Sequence, residues 1–157
     1  MRVQPILVAT ILLTVVGTLQ AADKSPKQIL GGKPAASSSG SSRYYDRQGS
    51  FAGRSDSSSN RTRLYDSQGR SAGRVDASKN STRVYDRTGS YAGRSENSGS
   101  GTRFYDSKGS FSGRSTTSGS STRYYDSKGS FSGRAETSGG TTRYYDSKGS
   151  SVGRKAK

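Results

Sequence analysis

Six aspartates stand twenty residues apart, at Asp46, Asp66, Asp86, Asp106, Asp126 and Asp146, each at the end of the phrase Arg-x-Tyr-Asp. Recurring carboxylates could work in pairs as general acid and base, or ligate calcium. Each one is alone in its unit, however, and the glycine-rich aspartate loop of calcium β-rolls is absent. The chain has no His and no Cys, which removes Ser-His triads, thiol nucleophiles and the usual zinc sets. An Asp that heads D-x-x-G has a plainer use, because its side chain accepts hydrogen bonds from nearby backbone N–H groups in a turn. The chain therefore reads as non-catalytic, with no cofactor and no metal.

The other recurring chemistry is basic and aromatic. Arg43, Arg63, Arg83, Arg103, Arg123 and Arg143 each lie two residues before Tyr45, Tyr65, Tyr85, Tyr105, Tyr125 and Tyr145, within a chain of net charge +15. A ladder of guanidinium groups can hold phosphate, sulfate or carboxylate while the rings stack on sugars or bases. The partners this points to are an anionic polysaccharide, an envelope polyanion or extracellular nucleic acid. The competing account is structural: charge alone keeps a Gly- and Ser-rich repeat array soluble and its sheet edges apart. On that account the protein is a surface spacer with no specific ligand.

Both accounts need elements that place the Arg and Tyr. Six copies of R-x-Y-D-x-x-G-x-x-x-G-R begin at Arg43 and recur with a strict period of twenty, each followed by a Ser, Thr, Asn and Gly tract. A fixed period marks a repeat architecture. Within a copy the letters specify a β-hairpin: Thr122 to Tyr125 as one strand, Asp126 to Gly129 as a type I turn, Ser130 to Arg134 as the return. The same turn is expected at Asp46/Gly49, Asp66/Gly69, Asp86/Gly89, Asp106/Gly109 and Asp146/Gly149, with the Gly taking the left-handed conformation. In this register Tyr125 faces Phe131, Tyr124 faces Ser132, and Arg123 faces Gly133. Alternation then puts Tyr125, Phe131 and Arg123 on one face and Tyr124, Ser132 and Thr122 on the other. The first aromatic position varies as Tyr44, Leu64, Val84, Phe104, Tyr124 and Tyr144, which suits packing. One hairpin is marginal alone, so successive hairpins are expected to pair into an open meander or spiral sheet. Copy six, with Ser151-Val152, is expected to be an end cap, and the two free edges could accept a partner strand.

Composition and the N-terminal segment complete the reading. Only 27% of residues are hydrophobic and Trp is absent, so an ordinary core is out of reach and substantial disorder fits the same numbers. Met1-Arg2, the apolar run Ile6 to Val16 and the step to Ala21-Ala22 read as a secretory signal peptide over residues 1–22. A retained anchor is the alternative, but a membrane helix takes about 20 apolar residues. Residues 23–42 read as a Ser/Gly/Pro/Lys linker and 43–157 as the repeat region. The expected location is the periplasm, the cell surface or the medium, with no integral span once the signal is cleaved.

The phrase Y-D-x-x-G with Arg two residues before the Tyr, nearest in RLYDSQGR at 63–70, resembles the YD repeats of bacterial Rhs-type exported proteins. The likeness covers residues 43–154 as six short units. It implies β-hairpins wound into a large sheet. Six units are too few to enclose a cargo, so the family's shell-forming toxin delivery is not carried over. The second Gly-Arg of each copy, such as Gly133-Arg134, departs from the family's phrase.

Overall fold

The computed structural model describes residues 39–99 and 101–157, so the expected signal peptide and most of the expected linker lie outside the described residues. The rest is all β. Twelve strands follow one another as β1 (Gly40–Tyr45), β2 (Phe51–Ser58), β3 (Arg61–Asp66), β4 (Ser71–Ala77), β5 (Ser81–Tyr85) and β6 (Tyr91–Ser98), continuing as β7 (Gly101–Asp106), β8 (Phe111–Ser118), β9 (Ser121–Asp126), β10 (Phe131–Ser138), β11 (Thr141–Asp146) and β12 (Ser151–Ala156). Every strand pairs antiparallel with its sequence neighbours, so each twenty-residue copy is one hairpin and each tract between copies is a second turn.

The turn chemistry is the expected one. In copy five the Asp126 N–H donates to the Ser130 carbonyl at 3.0 Å and the Gly129 N–H to the Asp126 carbonyl at 3.1 Å. Asp126 Oδ1 accepts from the Lys128 and Ser130 N–H groups at 2.9 and 2.8 Å. Gly129 sits at φ +84°, the left-handed position that follows a type I turn in a three-residue hairpin loop. The other copies repeat the geometry. The N–H groups of Gly49, Gly69, Gly89, Gly109 and Gly149 donate to the carbonyls of Asp46, Asp66, Asp86, Asp106 and Asp146 at 3.0–3.1 Å, and their φ values run from +78° to +86°. At the opposite end the chain reverses through tight turns with positive φ, as at Gly139 (+55°) and Gly140 (+78°).

The register departs from expectation by one residue on the return strand. Tyr125 is opposite Phe131 as expected, but Tyr124 is opposite Gly133 and Arg123 is opposite Arg134, because Ser132 is the extra residue of a β-bulge. The bulge explains the second Gly of each copy. At Gly93 φ is +148°, and a Cβ there would lie 2.5 Å from the Tyr105 carbonyl oxygen. No L side chain fits that place.

The array is not an open meander or spiral. It closes into a barrel in which β1 pairs with both β2 and β12. Arg43, Tyr44 and Tyr45 lie opposite Ala156, Lys155 and Arg154, so copy six is a stave of the barrel and not an end cap. Among the described residues no sheet edge is left open. Each bulged hairpin adds twist and bend to the sheet, and six of them bring the ends together.

The interior is built from the varying position: Leu64, Val84, Phe104, Tyr44 and Tyr124 are buried, with Tyr144 partly so. Small residues from the return strands fit between them, among them Ala52, Ala92, Ser55, Ser95, Ser115 and Ala135. Mixing large and small side chains fills a barrel that a low-hydrophobicity chain could not fill with aliphatics alone. Toward the tight-turn end, hydroxyl and amide pairs line the wall: Ser57 with Thr62, Asn97 with Thr102, Thr117 with Thr122, and Thr137 with Thr142, at 2.8–3.0 Å.

Candidate functional site

With the packing residues turned inward, strand alternation leaves the outer face to Arg and Tyr. All the first-position arginines, Arg43, Arg63, Arg83, Arg103, Arg123 and Arg143, are exposed, and the six tyrosines Tyr45, Tyr65, Tyr85, Tyr105, Tyr125 and Tyr145 lie half-buried among them. The facing read from strand alternation therefore matches the structure, and it places all twelve on one belt around the barrel.

What covers each tyrosine comes from the preceding copy. The guanidinium over Tyr125 does not come from Arg123 on the same strand but from Arg114 on β8, 5.0 Å from the ring centre. The same contact joins Arg54 to Tyr65 (4.7 Å), Arg74 to Tyr85 (4.0 Å), Arg94 to Tyr105 (4.2 Å) and Arg134 to Tyr145 (4.5 Å). Across the closing seam Arg154 lies over Tyr45 at 4.9 Å. The second arginine of every copy is thus a belt residue that the sequence reading left aside. Its signal was present in the unvarying Gly-Arg; what was missing was the bulge, which moves Arg134 into the row that Gly133 was expected to hold.

Aromatic edges complete the belt near the Asp-Gly turns. Tyr45 with Phe51, Tyr85 with Tyr91, Tyr105 with Phe111 and Tyr125 with Phe131 pack edge to face, with centroids 6.1–6.2 Å apart. Copies two and six place Ser71 and Ser151 opposite Tyr65 and Tyr145 instead. Phe51, Tyr91, Phe111 and Phe131 remain about two-fifths exposed.

The electrostatics are strained and then relieved. Within each hairpin the two arginines are directly opposite, as Arg103 to Arg114 and Arg143 to Arg154, an arrangement of like charges that destabilises a sheet. Two things offset it. The ring faces attract the second arginines, and carboxylates stand beside four of them: Asp56 at 3.5 Å from Arg54, Asp76 at 3.4 Å from Arg74, Glu96 at 2.9 Å from Arg94 and Glu136 at 2.8 Å from Arg134. The hydrogen bond from Arg94 holds the Glu96 carboxyl below its ordinary range, and the bond from Arg61 does the same for Asp76.

The turn aspartates are spent on backbone. Asp46, Asp66, Asp86, Asp106, Asp126 and Asp146 each accept from the N–H four residues on, at 2.8–2.9 Å. The glycines paired with them, Gly49, Gly69, Gly89, Gly109, Gly129 and Gly149, take the expected fourth position, just past the two central turn residues, and all six are exposed. Open space surrounds the place of a Cβ at Gly49, Gly69, Gly89 and Gly129, while at Gly109 and Gly149 only an arginine nitrogen, from Arg94 and Arg134, comes as near as 3.9 Å. Glycine is thus required there by the positive φ and not by a close neighbour. Among the described residues no three His, Cys, Asp or Glu side chains converge. No protein-family model matches the chain, and no curated protein matches it.

Proposed function

We propose that this is an exported, non-catalytic repeat protein whose outer belt engages anionic polymers or glycans at many points. The observation that carries the reading is the belt itself: six guanidinium groups held over six tyrosine rings in the same pose around a closed ring, including across the seam. Preorganised arginines lose little freedom when they meet an anion, and repetition turns weak contacts into avidity for a repeating ligand. The likeness to YD repeats and the N-terminal signal belong to the same proposal, which places the protein in the envelope or outside the cell.

Binding to heparin, followed by calorimetry, tests it. With about six contacts, affinity falls about a thousandfold between about 50 and 200 mM salt. Replacing Arg103, Arg123 and Arg143 by Gln removes about one unit of salt slope for each arginine. A heparin affinity that is absent at low salt, or indifferent to salt, sinks the proposal.

A second reading has its own observation. Four of the second arginines already hold a carboxylate, and every second-position tyrosine already holds a guanidinium, so much of the belt is satisfied internally. A spacer whose charges serve only the fold and solubility would look the same there, and it would give no heparin binding at any salt.

A further inference from the structure

The carboxylates of the belt repeat with the hairpins, and two copies lack one. In copies one, two, three and five an acid stands two residues after the second arginine and opposite the first arginine of the next copy: Asp56 faces Arg63, Asp76 faces Arg83, Glu96 faces Arg103 and Glu136 faces Arg143. Each acid pairs with the second arginine of its own copy and stands across the strands from the next copy's first arginine; Asp76 is also held by Arg61 at 2.8 Å. In copy four the position is Thr116, opposite Arg123. In copy six it is Ala156, opposite Arg43 across the seam.

Two arginine pairs are therefore left without their anion. Arg114 and Arg123 sit on β8 and β9 as diagonal neighbours, since Arg114 is opposite Tyr125, and Arg154 and Arg43 repeat the relation on β12 and β1. Such diagonals place backbones about 7–8 Å apart, within reach of long side chains. Among the described residues Arg114 and Arg154 make no ion pair, unlike the second arginines Arg54, Arg74, Arg94 and Arg134, and the first arginines of all six copies make none. A second observation agrees. Arg114 and Arg154 stand farthest from their rings, at 5.0 and 4.9 Å, while Arg74, Arg94 and Arg134, which hold a carboxylate, stand at 4.0, 4.2 and 4.5 Å. Arg54, whose carboxylate is the most distant of the four at 3.5 Å, falls between at 4.7 Å.

We infer that Arg114 with Arg123, and Arg154 with Arg43, form two oxyanion sites that take a sulfate or phosphate ester carried on a polysaccharide, the ester standing where the other copies place their own carboxylate. The inference rests on the binding reading of the belt and adds to it where the ligand sits. Two guanidinium groups match the several acceptor oxygens of such an ester. The sugar is favoured over nucleic acid because the six belt tyrosines already have a guanidinium on the ring, which leaves only the partly exposed Phe51, Tyr91, Phe111 and Phe131 near the turns for bases to stack on.

Filling the gap tests this on the full chain. Thr116→Glu and Ala156→Glu each weaken heparin binding about tenfold, the weight of one charge-assisted contact, while Ser127→Glu, the same charge change at an exposed turn, costs under about threefold. Glu136→Thr opens a third site between Arg134 and Arg143 and strengthens binding, a gain that misfolding cannot produce. De-sulfated heparin binds the parent no better than sulfated heparin binds the double Glu variant. Equal losses in all three Glu variants, with binding otherwise intact, would remove the two sites and leave the belt reading standing. No heparin binding by the parent would remove both. Single-stranded DNA that binds the parent as tightly as heparin, and is lost in the same variants, would overturn the polysaccharide assignment.

Discussion

Ala77→Ser should make the barrel more stable, and the amount follows from one missing partner. In four copies the residue facing the wall threonine carries a hydroxyl or amide: Ser57, Asn97, Thr117 and Thr137 bond to Thr62, Thr102, Thr122 and Thr142. Copy two places Ala77 opposite Thr82. Thr82 is 4% exposed and its Oγ1 has no hydrogen-bond partner. A buried hydroxyl without a partner costs about 1–3 kcal/mol, and a formed bond adds about 1 kcal/mol. A serine that recovers half of this stabilises by about 1–2 kcal/mol. At about 2 cal/mol/K per residue over roughly 120 residues, that raises Tm by about 4–8 °C. Thermal melts and urea titrations followed by far-UV circular dichroism measure it. Thr82→Val supplies the second arm of a cycle: neutral or mildly stabilising in the parent, it should abolish the gain from Ala77→Ser. An equal gain in the Thr82→Val background would refute the hydrogen-bond argument, since the benefit would then come from strand propensity alone.

Two further perturbations probe the bulge and the interior. Gly93→Ala should cost about 3 kcal/mol or more, because strained φ and backbone collision act together, whereas Gly89→Ala, equally left-handed at φ +86° but facing open space, should cost only about 1–2 kcal/mol. Urea midpoints of the two variants rank them. The second perturbation is alkaline pH. Burial raises Tyr44, Tyr124 and Tyr144 above the ordinary tyrosine value of 10.0, so the unfolded chain releases these protons first. Stability is then full below about pH 10 and falls as pH rises beyond it, by up to about 1.4 kcal/mol per pH unit for each ring. Lys155, whose ammonium burial disfavours, opposes this by one proton. Urea midpoints taken across that range should fall less steeply in Tyr144→Phe than in the parent, and an unchanged slope would contradict the burial of that ring.

The local half of this structure was legible and the global half was not. Asp126 and Gly129 specify a turn through chemistry contained in five residues, so the facing of Tyr125 and Phe131 followed, and with it the inward set of Tyr124 and its equivalents. Two things lay beyond that reach. The bulge at Ser132 needs one more residue than the pairing uses, and a Gly at φ near +150° is its only written sign; missing it hid the role of Arg134 and of the second arginine in every copy. Closure depends on twist summed over six hairpins. The pairing of Tyr45 with Arg154 joins residues at opposite ends of the repeat region, and no phrase of twenty residues records how many such phrases complete a circle.

Because Arg154 rests on Tyr45 as Arg54 rests on Tyr65, the seam repeats the cation–π contact of the internal joints. The hairpin copy is therefore the unit of architecture. Adding or removing one copy changes the sheet by two whole strands at a time and leaves the turn and bulge of every other copy as they are. What it alters is the girth, which scales with strand number, and with it the bore that Phe104, Tyr124 and their equivalents must fill. In this ring that inward position is filled differently from copy to copy, by Tyr44, Leu64, Val84, Phe104, Tyr124 and Tyr144, so the bore is fitted by the residues that vary while the belt is built from those that do not.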